Sequence, residues 1–394
     1  MEVTAIGVGN GGSKIVDALV TVDEEVGRGV VADAYALNTA ESDFRALDHL
    51  PESNRLLLTS PEMRPSGTGN KPELGADLLG ENLTLVKNAI ASAPWHATDA
   101  LVVVAALGGG TGSGGAPILA DHLRAWYDVP VFGLGVLPNE RGHMELNAAR
   151  SFMEFGQATD NLFLVDNAVY LSPDESIREN YGRINRDIAR KWVTFLSAGE
   201  RAPDSAEMYV DVADLFAVLE MGGVSVLGYA SREIDERHDG LLDRFRTNGQ
   251  PVERDRATRA LVDTVKTASR SLTMDVDPET AEGVALLVTG PADRLTQRGI
   301  DESRQFLQDL TGAQRIAHGD DPREGAREVS AAVLFSNVGA ARRIDELKQR
   351  GKEAKREMER RREERARKQQ ELFSDPDGEL GSVTGSERPR PEDG

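Results

Sequence analysis

Apolar runs punctuate the first half of the chain at residues 4–8, 33–37, 55–58, 100–107, 129–136 and 161–165. Each is of strand length, and helical segments fit between them. Strands separated by helices predict a parallel sheet covered on both faces, because a parallel connection needs a crossover long enough to hold a helix. Over residues 174–195 the apolar positions Ile177, Tyr181, Ile184, Ile188, Trp192 and Phe195 lie three or four apart, which predicts one face of a long amphipathic helix. Beyond it, runs at 224–229, 283–288 and 329–335 read as strands of a second α/β domain. The expected fold class is α/β: a parallel-sheet domain over 1–173, a long central helix with its connector over 174–204, and a second α/β domain over 205–340.

From 341 to 372 the chain is almost wholly charged and lacks proline. Glu357 and Arg361, Glu363 and Arg367, and Glu364 and Lys368 are each spaced to support one another on an exposed helix. A heptad seam of Ile344, Leu347, Ala354 and Met358 dissolves into Arg361, Arg365 and Lys368, so a solvated single helix is expected rather than a dimer zipper. Residues 374–394 are rich in Gly, Pro, Ser and acidic side chains, the composition of a disordered tail.

Composition narrows the classes. The 394 residues are 39% hydrophobic, enough for a sizeable core. No apolar run approaches the ~18 residues of a transmembrane helix. The N-terminus has no basic segment ahead of a long apolar stretch, so no secretory leader is read there; a cytoplasmic location is expected, with any envelope contact made through partners. With no cysteine, disulfides, thiolate metal sites and cysteine nucleophiles are excluded. A net charge of −20, with arginine dominating the basic residues, opposes nucleic-acid binding and suits solubility in the concentrated salt of a halophile's cytoplasm. His96, His143 and His318 are scattered without metal-ligand spacing.

The candidate chemistry lies in glycine-bearing segments between predicted strands and helices. Gly7-Val8-Gly9-Asn10-Gly11-Gly12-Ser13-Lys14 formally contains GxGxxG, which puts backbone amides at a helix N-terminus where they can meet phosphates; a plain tight turn explains it equally well. Gly108-Gly109-Gly110-Thr111-Gly112-Ser113-Gly114-Gly115 follows a buried-strand run and precedes the helical segment 116–126. Its glycines free the backbone to wrap an anion, and its hydroxyls add donors. A linker fits poorly, since linkers separate domains rather than join a strand to its helix. Gly67-Thr68-Gly69-Asn70-Lys71-Pro72-Glu73-Leu74-Gly75 is a polar turn suited to cover a terminal phosphate, or an ordinary loop.

These residues carry a family resemblance. GGGTGSG at Gly108 to Gly114 resembles the phosphate loop of the tubulin/FtsZ superfamily, and a Walker A string ending in Gly-Lys-Ser/Thr is absent. The Gly9 to Lys14 turn, Ala36-Leu37-Asn38-Thr39-Ala40, and the segment from Gly69 to Gly75 fall in the same family order. Similarity is closer to the archaeal cell-shape branch, CetZ, in GGGTGSGGAP, Leu146-Asn147-Ala148-Ala149-Arg150-Ser151-Phe152 and Gly222-Gly223-Val224-Ser225. The resemblance spans residues 1–340 and is strongest over the first 230.

It implies a GTP-binding, GTP-hydrolysing protein that joins head to tail into filaments and controls cell shape, with GTP or GDP bound and Mg²⁺ assisting at the phosphates. By position, Asn10, Gly11, Gly12, Ser13 and Lys14, with Gly109, Gly110, Thr111 and Gly112, would cradle the phosphates, and Glu140 would hold the ribose. Asn167 and Asn185 match the guanine-reading asparagines, whose amides can pair donor for acceptor with a base edge. Tyr181 would stack on the base, although it also belongs to the helix's apolar stripe. Val210-Asp211-Val212-Ala213-Asp214-Leu215 resembles the acidic catalytic loop, so Asp211 and Asp214 would activate water on the neighbouring subunit's nucleotide; helix capping near Leu215 explains one of them as well. Tyr209 stands where the division proteins carry a polar residue. Two alternatives remain. A non-hydrolysing scaffold or regulatory paralogue would keep the nucleotide and recruit protein partners through the charged tail. A nicotinamide-dependent oxidoreductase would use Gly7 to Gly12, but it wants an acidic ribose ligand where Asn38 and Thr39 stand, and it leaves GGGTGSGG unexplained.

Overall fold

The computed structural model describes residues 1–61, 66–140, 142–171, 174, 177–197, 212–234, 250–339 and 341–373. One compact unit covers Met1–Leu347; the second begins at Lys348. The apolar runs of the first half form β1 (Val3–Val8), β2 (Val31–Asn38), β3 (Arg55–Leu57), β4 (Ala100–Ala106), β5 (Val131–Leu137) and β6 (Asn161–Asp166). All pair in parallel. The later runs form β7 (Val224–Glu233), β8 (Gly283–Gly290) and β10 (Glu328–Ser336), joined by β9 (Arg315–Pro322).

These ten strands make one sheet in the order β3-β2-β1-β4-β5-β6-β7-β10-β8-β9. The second set of strands continues the first through Leu162 opposite Val224 and Phe163 opposite Ser225. Only β10 runs against its neighbours. β9 escaped the apolar-run reading because its sequence, RIAHGDDP, is polar and it lies at the sheet's edge, where one side of a strand has no neighbour.

Period-two alternation sends each strand's side chains to opposite faces. Ile6, Val8, Leu101, Val103 and Ala105 enter one core; Val3, Ala5, Val102 and Val104 enter the other. The first core is covered by α2 (Pro72–Glu81), α3 (Leu83–Ile90), α4 (Thr111–Trp126), α5 (His143–Ala158), α9 (Gln250–Ala268) and α10 (Gln297–Thr311). The second is covered by α1 (Gly9–Val26), α7 (Ile177–Leu196) and α8 (Val212–Leu219). A four-residue helix, α6 (Asn167–Tyr170), links β6 toward α7.

The expected stripe on α7 is buried at Ile184, Ile188, Trp192 and Phe195, with Tyr181 half-buried at its edge. Trp192 lies 4.5 Å from the Phe163 ring, and Phe195 packs on Phe163 edge-on. The two ends of α7 meet opposite ends of the sheet. Near its start, Tyr181 reaches a loop beyond the carboxyl end of β5, whereas at its end the Leu196 carbonyl accepts from the Met1 amine beside the start of β1. This 20-residue helix therefore runs antiparallel to the strands for about 30 Å, from the sheet's carboxyl end to its amino end.

The charged stretch is helical as its spacing predicts: α11 covers Arg342–Phe373, and on its surface Arg360 pairs with Glu357 at 2.7 Å and Glu364 at 3.9 Å. The expected disordered tail, 374–394, lies outside the described residues.

Candidate functional site

Two helices begin almost without a turn at the carboxyl ends of adjacent strands. Both glycine segments were expected to be loops ahead of their helices; instead α1 starts at Gly9 and α4 at Thr111, so most of each segment is itself the first helical turns. Close packing is the reason. Gly9 has φ of 75°, and a Cβ there would stand 2.9 Å from the Gly112 backbone nitrogen, so the two helix starts touch through bare backbone. A helix N-terminus presents unpaired N–H groups and a partial positive charge. Neither α1 nor α4 has a side-chain cap or an acidic residue in its first turn, so neither helix neutralises its own start, and an anion fits there.

Further segments fold over the α4 start. Thr39, just past β2, shares a 2.8 Å hydrogen bond with the Thr111 hydroxyl. The Gly67 N–H donates to the Thr39 carbonyl at 3.1 Å. Asn70 takes a left-handed φ of 59°, and its carbonyl accepts from the Asn147 side chain at 3.1 Å. The same Asn147 amide donates to the Gly108 carbonyl at 3.1 Å, so a buried α5 residue ties the 66–71 loop to the glycine segment. Gly109 alone in that segment, with Gly108 and Gly110 hemmed in beside it, would meet nothing within 4 Å if it carried a Cβ. It is the position where the cradle is open.

At the same end of the sheet, Tyr181 donates its hydroxyl to Glu140 Oε1 at 3.2 Å. Burial and the neighbouring Glu140 carboxylate raise the Tyr181 pKa, so the phenol is the donor at neutral pH. Asn167 begins α6 directly after β6, is buried, and leaves its Oδ1 without a hydrogen-bond partner. Ser13 Oγ and Ser113 Oγ are likewise buried and unpartnered. Buried polar atoms normally find partners, so orphans at helix starts along the carboxyl end of the sheet are what a polar ligand would complete. Asn10 is exposed, Lys14 half-buried, and Asn185 half-buried one turn beyond Tyr181 on α7.

Asp166, next to Asn167, is held from several sides. Its Oδ1 accepts the Ala168 N–H at 3.0 Å, and its Oδ2 lies 3.3 Å from Arg343 Nε at the root of α11. Burial pushes its carboxyl above the usual carboxylate range, while the Ala168 N–H and Arg343 pull it back. Arg343 and Asn147 had no role in the sequence reading, although Asn147 lies in a segment that carried the family resemblance.

The acidic candidates stand elsewhere. Asp211 and Tyr209 lie outside the described residues. Asp214 is exposed in the first turn of α8. The last residue of α8, Leu219, has its carbonyl held by Asn161 at the start of β6, which is the amino end of the sheet. A cavity of about 430 Å³ at that end is lined by Pro130, Asp160, the α8 residue Phe216 and Glu220 just past the helix. The structure thus gathers the glycine segments, Glu140, Tyr181 and Asn167 at the carboxyl end of the sheet and anchors the last residue of Asp214's helix at the amino end. Among the described residues no group of three or more His, Asp or Glu could hold a metal ion, and no helix is long and apolar enough to cross a membrane.

Known proteins share both halves of this architecture. Residues 2–172 match a model of the Tubulin/FtsZ family, GTPase domain, and residues 174–353 match one of the tubulin-like CetZ C-terminal domain. Tubulin-like protein CetZ1 of Haloferax volcanii is 38% identical over 360 residues, covering 89% of this chain and 91% of the relative. Tubulin-like protein CetZ3 of the same organism is 39% identical over 388 residues, 96% of this chain and 99% of the relative. Among solved structures, a GDP-bound monomer of Haloferax volcanii CetZ1 superposes with a TM-score of 0.81 at 35% identity, covering 90% of this chain and all (100%) of that one. A GTPγS-bound protofilament of Haloferax volcanii CetZ2 gives 0.80 at 31% identity, covering 91% and 100%.

Proposed function

Because the chain belongs to the tubulin-like CetZ family, we propose that it binds GTP at the carboxyl end of its sheet, assembles head to tail into filaments, hydrolyses the nucleotide between subunits, and serves cell shape. The observation that carries this reading is the division of the site. The glycine segments, Glu140, Tyr181 and Asn167 sit at the carboxyl end of the sheet, whereas α8, whose first turn carries Asp214, is anchored by its last residue at the amino end.

In this reading the amides of Asn10, Gly11 and Gly12, with Gly109, Gly110 and Gly112, receive the phosphates, and Ser13, Lys14 and Thr111 add donors or charge. Glu140 accepts from a ribose hydroxyl while Tyr181, hydrogen-bonded to it, lies against the base. The unpartnered Oδ1 of Asn167 accepts from a guanine N–H, and Asn185 reads the base from α7. Magnesium would arrive with the nucleotide, taking its ligands chiefly from phosphate oxygens and water, because no carboxylate cluster among the described residues can hold it. It would neutralise phosphate charge.

Asp211 and Asp214 are the bases that orient and deprotonate the attacking water, but on the next subunit's nucleotide. Stacking one subunit's amino end on another's carboxyl end is a heterologous contact that does not close, so it propagates into a filament. Catalysis then requires assembly. Sedimentation tests this: GTP should drive the protein into polymer and GDP should leave it soluble, with turnover per subunit rising with protein concentration. Equal assembly with both nucleotides would overturn the nucleotide-gated reading; binding without turnover at any concentration would leave a scaffold.

A further inference from the structure

Arg343 meets three residues beside Asn167 and the Glu140 loop, yet it comes from the far end of the sequence. It is 17% exposed. Its Nη1 lies 3.1 Å from Glu145 Oε1 on α5, its Nη2 donates to the Pro138 carbonyl at 3.0 Å, and its Nε lies 3.3 Å from Asp166 Oδ2. Glu145 and Asp166 are each 7% exposed at the side chain. Each contact fixes a different wall. Pro138 begins the loop that carries Glu140, Glu145 anchors the first turn of α5, and Asp166 is the residue before Asn167 and the N-cap of its helix.

From this geometry we infer that Arg343 is a positioning residue for base recognition. Its two Nη groups donate to Glu145 and to the Pro138 carbonyl, which sets the loop bearing Glu140 and fixes the guanidinium charge 3.3 Å from Asp166 Oδ2, where it holds that carboxylate electrostatically beside Asn167. A guanidinium can do this because its donors leave in fixed directions, whereas an ammonium offers one compact charge. The inference rests on the guanine-site reading above. Arg343 touches no nucleotide atom in it and acts through Asp166, Pro138 and Glu145. A consequence is that base recognition depends on Arg343 more than phosphate binding does, because the α1 and α4 starts reach Arg343 only indirectly, through α5 and Pro138.

The test is competition against a fluorescent GDP analogue in high-potassium buffer, using the full chain. GDP, ADP and GMP are each titrated against wild type, Arg343→Gln, Arg343→Lys, Asn167→Ala and the Arg343→Gln, Asn167→Ala pair. Base selectivity is the ADP-to-GDP ratio of competition constants; phosphate dependence is the GMP-to-GDP ratio. The inference expects Arg343→Gln to lower base selectivity about tenfold, with the GMP-to-GDP ratio falling several-fold less and Arg343→Lys intermediate. Residues acting as one unit are non-additive, so the pair should be no less selective than Asn167→Ala alone. Unchanged selectivity in Arg343→Gln and Arg343→Lys, an equal fall in both ratios, or simple additivity in the pair would overturn it. A wild type with no preference for guanine would instead overturn the site reading and this inference together. Should Arg343→Gln fail to fold, the Arg343→Lys ratios decide alone.

Discussion

Neighbouring glycines in the phosphate segment should fail in opposite ways. At Gly109 an added Cβ meets nothing within 4 Å, and the residue is not among those with positive φ. At Gly110 the same atom would stand 2.1 Å from Thr68 Oγ1 and 2.7 Å from the Lys71 backbone nitrogen, and the backbone cannot swing aside as a side chain tip can. Gly109→Ala should therefore leave the empty protein as stable as before or stabilise it by about 0.4–1 kcal/mol, through the lost freedom of the unfolded chain. Gly110→Ala should cost about 1–3 kcal/mol of overpacking. At roughly 2.1 cal/mol/K per residue over Met1–Leu347, unfolding carries an entropy near 0.7 kcal/mol/K, so the two variants should melt about 1–6 °C apart without nucleotide. Nucleotide reverses the interest. The Gly109 methyl occupies the open cradle, so GDP should raise the melting temperature of Gly109→Ala far less than that of wild type, as weaker binding requires. Differential scanning fluorimetry with and without GDP, backed by equilibrium binding, reads both effects. If Gly110→Ala melts with wild type and Gly109→Ala takes GDP normally, the cradle has been placed wrongly.

Other substitutions follow from the same geometry. Asn147→Ala removes 3.1 Å hydrogen bonds to the Asn70 and Gly108 carbonyls, worth about 1 kcal/mol each, and should weaken GDP binding several-fold as the 66–71 loop loosens; an unchanged affinity would show that Asn147 only packs. The Tyr35 hydroxyl, buried and bonded to Asp33 Oδ2 at 2.6 Å, has its pKa raised to about 12 by burial and that hydrogen bond. A raised pKa means the folded state keeps a proton that the unfolded state releases, so this stability is whole below pH 10 and is lost as pH rises toward 12. Across that window wild type should lose stability more steeply than Tyr35→Phe, by up to about 1.4 kcal/mol per pH unit, in denaturant titrations; parallel slopes would refute it.

The sheet was legible in the sequence because a parallel strand buried on both faces must be a continuous apolar run, and the first six runs became strands within two residues at either end. The same logic hid β9, whose edge position lets it stay polar. The glycine segments were found as anion-binding backbone, but their helical starts were not, since Gly and Pro117 argue against helix by propensity while close packing against β4 and α2 enforces it. Tyr181 and Glu140 were named separately by resemblance, and the structure joins them by a hydrogen bond across 41 residues of chain. Arg343 gave no signal: its partners Glu145 and Pro138 lie 198 and 205 residues away, and in sequence it is one arginine at the head of a charged helix.

Mixing two disabled proteins tests the central claim, a catalytic site shared between subunits, most directly. Gly109→Glu puts a carboxylate into the open cradle and should bind no nucleotide, while the Asp211→Ala, Asp214→Ala variant should bind GTP and not hydrolyse it. Each alone should be silent in a phosphate-release assay. In an equimolar mixture a productive contact needs an acid-less subunit's GTP facing a cradle-blocked subunit's aspartates, so up to about a quarter of wild-type turnover should return. A mixture as silent as its parents, or hydrolysis by the acid-less variant on its own, would contradict a site divided between neighbours.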